Sequence, residues 1–210
     1  MYWNTVSQLL KDILTDLMAE DLFSPFRLVG GTALSLQKGH RMSVDIDLFT
    51  DIEYGSIDFK EIRSFLENKY PYCISRNLDN VSFGTYFEVG YSKEDYIKID
   101  FYFTDEFVFN EVVIDDIRMA SPEEIIAMKL EVISTTKRKK DFWDLHYFLS
   151  VFSIDEMISF YTLRYPYNEN DKFKELFIDF GDANFEPDPK CLLDKTWENI
   201  KLDFHDFVNL

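Results

Sequence analysis

Two aspartates separated by one residue are the most informative feature of this sequence. Asp45 and Asp47 interrupt the apolar run Val44–Phe49, which has the composition of a short buried strand. Alternate residues of a strand point to one face, so the two carboxylates would lie side by side, where they repel each other and lose hydration. Mg²⁺ or Mn²⁺, which prefer oxygen ligands, relieve both costs. The pair therefore indicates a metal site, and a strand end with two solvated acids is the alternative.

A glycine turn lies just before these aspartates. Gly30, Gly31 and Thr32 separate a short apolar strand from a helical pattern. A turn of this kind at the start of a helix presents backbone N–H groups that bind phosphate well. A phosphate site beside a metal-binding carboxylate pair predicts nucleotide chemistry.

A third carboxylate is needed where two metal ions are held, and Asp100 is the candidate. It is the one acid in the segment Ile97–Phe103, which alternates like a strand. Lys98 falls on the same face of that strand. A Lys–Asp pair on an exposed surface is therefore the alternative interpretation.

Lys129 lies in the apolar stripe of a helix that begins after Ser121. Lysine is rare on a buried face unless its charge is paired. A lysine on the core side of a helix can reach a triphosphate or an acidic cluster. The alternative is a side chain that extends past the edge of the stripe into solvent.

Lys137–Lys140 is the one basic run in an otherwise acidic chain. It leads directly into Asp141 and the next helical pattern. The run either contributes contacts to phosphate or to an acceptor, or it is a solvated loop. The commoner role of an acid at the position of Asp141 is to cap the helix that starts there.

Composition limits the class of protein. The chain has 210 residues, 46% of them hydrophobic, with 21 Phe and 12 Tyr, which is typical of a folded protein with a sizeable core. A formal net charge of −17 argues against broad, non-specific binding to nucleic acid. Cys73 and Cys191 form no disulfide framework or zinc motif. Since no apolar stretch approaches the ~20 residues that span a bilayer, we expect a cytoplasmic protein without a membrane partner.

Hydrophobic periodicity predicts an α+β fold. Alternating segments over 72–76, 81–89 and 96–103 predict strands, the last two joined as an antiparallel hairpin. Ser56 is expected to cap the helix that follows it, and capping sequences at Ser121 and Ser153 begin later helices.

Two regions are expected from these patterns. Residues 1–118 would form a mixed β-sheet flanked by helices, and residues 119–210 a helical region packed on that core. No serine hydrolase, zincin or P-loop motif is present in the sequence.

The motifs together resemble those of a known family. Gly30-Gly31-Thr32, followed by Gly39-His40-Arg41, Ser43 and Asp45-Ile46-Asp47-Leu48-Phe49, resembles the first motif of the AbiEii/AbiGii toxin family. These proteins are nucleotidyltransferases of the polymerase-beta-like superfamily, and some are toxins of toxin–antitoxin systems. Met128-Lys129-Leu130 and the segment 140–145 are similar to the later lysine and KDxxDL motifs of the family. The resemblance covers roughly residues 26–149.

The resemblance implies a role for each matching residue and a nucleotidyltransferase-type sheet. Three acids would bind Mg²⁺ or Mn²⁺, and a second set of residues would hold the phosphates of a nucleoside triphosphate. Lys129 and Asp141 would be the nucleotide-contacting lysine and the later essential acid. The implied metal ligands are Asp45, Asp47 and Asp100, and the implied phosphate-binding residues are Gly30, Gly31, Thr32, Arg41, Ser43 and Lys129.

The expected function is metal-dependent transfer of a nucleoside monophosphate from a nucleoside triphosphate to a hydroxyl acceptor, with Asp100 as the general base. The acceptor would be RNA, including tRNA, or a protein hydroxyl. By resemblance, the protein would be the toxin of an abortive-infection pair with a cognate antitoxin. Two alternatives stay open: a catalytically inactive nucleotide-binding module that acts through protein contacts, and a metal-dependent phosphohydrolase or nuclease.

Overall fold

The computed structural model describes residues 1–76, 78, 81, 83–168 and 172–209, and its centre is one seven-stranded mixed β-sheet. The strands are β1 (Arg27–Leu28), β2 (Asp45–Thr50), β3 (Tyr72–Ser75), β4 (Gly84–Ser92), β5 (Asp95–Phe103), β6 (Val112–Ile114) and β7 (Ile117–Met119). Their order across the sheet is β3-β4-β5-β2-β1-β7-β6.

Helices lie before, between and after the strands. Those of the described residues are α1 (Gln8–Met18), α2 (Gly30–Lys38), α3 (Phe59–Lys69), α4 (Pro122–Thr135), α5 (Lys139–His146), α6 (Ile154–Arg164), α7 (Phe173–Ile178) and α8 (Trp197–Val208). Sheet and helices together confirm the predicted α+β class. No helix in the described part of the chain is both long enough and apolar enough to cross a membrane.

Capping side chains explain where several helices begin. Ser153 and Glu156 form the predicted capping box at the start of α6. The predicted cap of α3 is wrong, because the Asp58 carboxylate, and not Ser56, accepts hydrogen bonds from the first backbone N–H groups of that helix. The hydroxyl of Ser56 instead donates to the carbonyl of Glu53 at 2.6 Å.

The register of the central strands separates a buried face from a partly exposed one. Ile46 and Leu48 of β2 are fully buried, as are Ile99 and Phe101 of the parallel neighbour β5, and α1 packs against both strands. Residues at the alternate positions of β2 are only partly buried. The aspartates therefore share the face turned away from α1.

The predicted hairpin is present with shifted ends. β4 and β5 pair antiparallel, but β4 begins at Gly84 and runs to Ser92, whereas the prediction covered 81–89. Residue 82 of that prediction lies outside the described residues.

The sheet crosses the predicted boundary between residues 118 and 119. Met119 of β7 pairs with Leu28 of β1, and the backbone N–H of Ala120 donates to the Leu28 carbonyl at 2.9 Å. One hydrophobic core runs through both halves of the chain, and α4 packs on α2 while α5 packs on α2 and α8. A division into a core (1–118) and a helical region (119–210) stays a prediction.

A buried ion pair links α4 to α6. Arg164 pairs with Glu124, and neither side chain is exposed. The Glu124 carboxylate also accepts from the backbone N–H groups of Val108 and Phe109, at 3.1 and 2.9 Å. Glu124 therefore does not complete a capping box with Ser121, although the Ser121 hydroxyl does cap the helix.

Replacing Arg164 by Met should destabilise the protein strongly. The change leaves the Glu124 carboxylate buried without its counter-charge, which costs about 3–5 kcal/mol. The measurement is the free energy of unfolding in urea. Lys93→Met, at an ion pair whose side chains are 77% and 70% exposed, should cost less than about 1 kcal/mol. Equal losses in the two variants would contradict a stabilising role for the buried pair.

Candidate active site

The predicted acids meet at the centre of the sheet. Asp47 of β2 lies directly opposite Asp100 of β5, and Asp45 lies opposite Lys98. Neighbouring strands are about 4.8 Å apart, and all four side chains point to the face turned away from α1. The structure thus brings Asp45, Asp47 and Asp100 together, as the sequence predicts.

The charge of Asp47 is poorly compensated by the protein. The pKa of Asp47 is raised to about 6, first because the carboxylate is desolvated and then because of the negative charges of Asp100 and Asp45. Lys129 and Lys140 oppose the shift without cancelling it. A group with a raised pKa beside like charges is typical of a functional site.

Lys98 partly neutralises the cluster. Its ammonium pairs with the Asp100 carboxylate and lies 5.2 Å from the centre of the Tyr86 ring. Partial burial lowers the pKa of Lys98, but Asp100, Asp45 and Asp47 outweigh this effect and raise it. The Lys–Asp pair considered from the sequence therefore exists, and it is part of the acid cluster.

The donor chemistry of this cluster fits a hard cation. It offers carboxylate oxygens, which Mg²⁺ and Mn²⁺ prefer, and the pKa of Asp47 is raised by burial and by neighbouring negative charges, which a bound cation would offset. Within the described ranges, no group of three or more His, Cys, Asp or Glu side chains is arranged to hold a metal ion. Asp100 is engaged by Lys98 instead, so it would have to leave that ion pair to become a ligand.

Gly30 provides the close approach between the glycine turn and the acids. Its φ is +68°, and a Cβ built on it would lie 2.7 Å from Oδ2 of Asp47. Only glycine meets both conditions without strain. The turn is tied to β2 because the backbone N–H of Val29 donates to the Asp47 carbonyl at 2.8 Å.

The buried hydroxyl groups of Thr32 and Ser43 stabilise this turn. Both side chains are buried, with their hydroxyl oxygens 2.8 Å apart, and the Thr32 hydroxyl also donates to the Asp45 carbonyl. Their hydroxyls therefore hold the glycine turn against β2. Contact of either residue with phosphate stays a prediction.

A second cluster lies beneath the glycine turn, around Asp144 of α5. Arg41 donates to its two oxygens at 2.6 and 2.8 Å, and Nε2 of His40 is 2.7 Å from Oδ1. The Lys129 ammonium, from α4, is 2.7 Å from Oδ2. Burial alone would raise the pKa of Asp144, but Arg41 and Lys129 hold it well below its usual range.

Asp141 extends this network. The Lys129 ammonium also bonds Asp141 at 2.5 Å, and Nε of Arg138 bonds its other oxygen at 2.7 Å. Asp141 is the third residue of α5 and does not cap it. Lys129 is buried and engaged by both carboxylates, so its predicted contact with nucleotide stays a prediction.

Sequence reasoning assigned no role to Asp144 or His40, although both fall within the motifs. The available signal was helical spacing, because Asp144 lies three residues after Asp141 and hence on the same face of α5. The close approach of Gly31 to Arg41 gives a second reason, because it explains why the motif has a glycine at this position. A Cβ on Gly31 would lie 2.2 Å from Nη2 of Arg41.

The C-terminal segment reaches this site as well. Arg41 forms an antiparallel β-bridge with Cys191. The backbone N–H of Met42 donates to the carbonyl of Lys190, and the N–H of Leu192 donates to the carbonyl of His40, both at 2.9 Å. No role for this part of the chain was predicted from the sequence. In the structure it secures the loop that carries Arg41.

A mixed sheet with a glycine turn before a helix and paired aspartates on the next strand defines a nucleotidyltransferase fold. A candidate nucleotidyltransferase from H. pylori shares it, with a TM-score of 0.62 and 20% identity over 97% of this chain and 94% of that chain. JHP933 from Helicobacter pylori is also similar, with a TM-score of 0.56 and 19% identity over 97% and 91% of the two chains. A search of curated proteins found no match.

The sequence itself identifies the family. The model described as "Nucleotidyl transferase AbiEii toxin, Type IV TA system" matches residues 12–210. The chain therefore belongs to the AbiEii nucleotidyltransferase toxin family, which confirms the resemblance and the enzyme class. The match extends through the last sixty residues, beyond the range of 26–149 that the motifs covered.

Gly31→Ala should destabilise the protein by displacing Arg41 from Asp144. Overpacking of this kind costs about 1–3 kcal/mol, measurable as the free energy of unfolding in urea. Gly55→Ala is the control, because nothing lies within 4 Å of its added Cβ and its φ is +83°. That variant should lose only the cost of a left-handed backbone, about 1 kcal/mol. A loss no larger in Gly31→Ala than in the control would contradict the proposed clash.

Asp47→Asn should stabilise the metal-free protein at neutral pH. The folded state holds this proton up to about pH 6, whereas the unfolded chain loses it near pH 4. The folded state therefore binds more protons between these values, and the stability of the parent falls as pH rises through that window. We expect the free energy of unfolding of the variant to exceed that of the parent by about 2–3 kcal/mol at pH 7. The variant should not show the decline with pH.

The measurement is unfolding in urea at pH 4.5 and pH 7 with a chelator present. Asp105→Asn, at an exposed acid, is the matched control and should follow the parent. If the free energy of unfolding changed equally with pH in the parent and in Asp47→Asn, the prediction that ionised Asp47 destabilises the folded state would be wrong.

Proposed function

We propose that this protein transfers a nucleoside monophosphate from a nucleoside triphosphate to a hydroxyl acceptor with the help of Mg²⁺ or Mn²⁺. The observation that carries the proposal is the register that puts Asp47 opposite Asp100, with the pKa of Asp47 raised to about 6. Gly30 lies against this same aspartate. Negative charge is thus concentrated where a cation and a phosphate would meet.

Asp45, Asp47 and Asp100 would hold the metal. When bound, it would supply positive charge to the attacking and leaving oxygens of the transfer. The backbone N–H groups of Gly30 and Gly31, at the start of α2, would bind phosphate oxygens of the triphosphate.

Asp100 would accept the proton of the attacking hydroxyl. It faces the same side of the sheet as Asp47, and its ion pair with Lys98 would have to open for this role. The new bond forms between the acceptor oxygen and the α-phosphorus, and pyrophosphate leaves with the bonding electrons of the broken P–O bond.

The family supports a toxin that is controlled by an antitoxin. We propose RNA, including tRNA, or a protein hydroxyl as the acceptor. The net charge of −17 means that an RNA acceptor would have to dock near local cations such as those of 137–140.

Replacing Asp45 and Asp47 together by Asn should abolish transfer while the fold persists. The assay incubates the protein with each α-labelled nucleoside triphosphate and a cell extract, and then identifies the labelled macromolecule. Asp115→Asn with Asp116→Asn makes the same charge change in the turn between β6 and β7 and should leave labelling intact.

The other outcomes of this assay identify the competing functions. Label retained by the Asp45/Asp47 double variant would refute the site. Release of inorganic phosphate or cut nucleic acid without a labelled acceptor would indicate a phosphohydrolase or nuclease. Triphosphate binding with no product at all would indicate an inactive binding module.

A further inference from the structure

The cations around the site differ in how far the protein already uses them. Arg41 and Lys129 are buried, and each is held by carboxylates at 2.5–2.8 Å. Arg138 is bonded to Asp141 at 2.7 Å, and Lys98 is paired with Asp100. A phosphate that bound any of these four would have to compete with a carboxylate.

Lys129 is the strongest case of this competition. It lies between Asp141 and Asp144, both of them fully buried. Moving its ammonium to a ligand would leave two buried carboxylates short of a counter-charge, which is strongly destabilising. Lys129 is therefore placed to hold α4 and α5 together and to fix the carboxylate that orients Arg41.

Lys140 is different. It is half-buried, and the described residues provide no ion pair or hydrogen bond to its ammonium. It lies one turn before Asp144 on α5, so the two side chains share a face of that helix. This face is the one turned toward the glycine turn, because Oδ2 of Asp144 would lie 3.5 Å from a Cβ on Gly31.

The side chain of Lys139, the residue before Lys140, supports this orientation of Lys140. Lys139 points away from the site, where its ammonium bonds Asp188 at 2.9 Å and lies 5.2 Å from the centre of the Trp197 ring. The charge of Lys140, in contrast, acts on Asp47. Lys140 therefore offers an uncommitted ammonium on the helix face that is turned toward the glycine turn, close enough to Asp47 for its charge to be felt there.

We propose that Lys140 is the residue that binds the triphosphate of the incoming nucleotide, and that Lys129 is a positioning residue that acts through Asp141 and Asp144. This inference rests on the proposed function. It assigns phosphate recognition to a cation that no carboxylate of the described chain occupies, so that binding breaks no existing ion pair.

The test compares binding of a nucleoside triphosphate with that of the matching monophosphate. Calorimetry in Mg²⁺ first finds which of ATP, CTP, GTP and UTP the parent binds best. Lys140→Gln should weaken binding of that triphosphate roughly tenfold, because one charge-assisted contact is lost. Binding of the monophosphate should change less than about threefold, and Lys140→Arg should restore most of the triphosphate affinity.

Two controls separate a direct contact from a general effect. Lys93→Gln makes the same charge change at a side chain that is 77% exposed, and it should bind like the parent. Lys129→Gln should lower the thermal midpoint by several degrees, whereas Lys140→Gln should leave the midpoint unchanged.

Each remaining outcome overturns a defined claim. A parent that binds no nucleoside triphosphate refutes the proposed function and this inference with it. A parent that binds, together with Lys140→Gln that binds equally well, refutes the inference alone. It is refuted as well if Lys129→Gln keeps the parent's thermal midpoint and loses the preference for triphosphate over monophosphate.

Discussion

The buried carboxylate of Asp144 is the interaction on which the site depends. It accepts from Arg41 and His40 in the loop after α2 and from Lys129 in α4, and no part of it is exposed. A buried charge is tolerated only when it is paired and hydrogen-bonded on every side. Here that condition joins three separate segments at one point beneath Gly31. Residues of α4 and α5 therefore help to position the loop that carries Arg41 and, through it, the glycine turn.

Two groups of acids lie close together, and the protein compensates their negative charges to different degrees. Around Asp144 the protein supplies its own cations, and the pKa of that carboxyl falls well below its usual range. Around Asp47 the compensation is incomplete, and its pKa rises to about 6. The first arrangement compensates its buried charge within the protein, whereas the second leaves a negative charge that a bound cation would offset. Under the proposed function, this contrast would distinguish structural from functional acids, which their residue types alone could not do.

The sequence predicted features that depend on local spacing. Asp45 and Asp47 share a face because a strand repeats every two residues, and Ser153 caps α6 because the capping box is a local pattern. Long-range features were not predictable. β7 has only three residues and is stabilised by pairing with β1, which lies about ninety residues earlier in the chain. The role of Asp144 was missed for the same reason, since two of its three donors come from a loop about a hundred residues away.

The distribution of charge explains how an acidic protein can select an anionic substrate. The chain has 39 Asp and Glu against 22 Lys and Arg, so most of its surface repels phosphate. Arg41, Lys129 and Arg138 are already paired with carboxylates, and Lys140 is the cation of the motif segments that we propose for the phosphates. Under the proposed function, the carboxylates would repel a free triphosphate there, whereas a triphosphate that arrived with Mg²⁺ would supply positive charge. Under the same proposal, these acids would favour the metal-bound nucleotide over other anions.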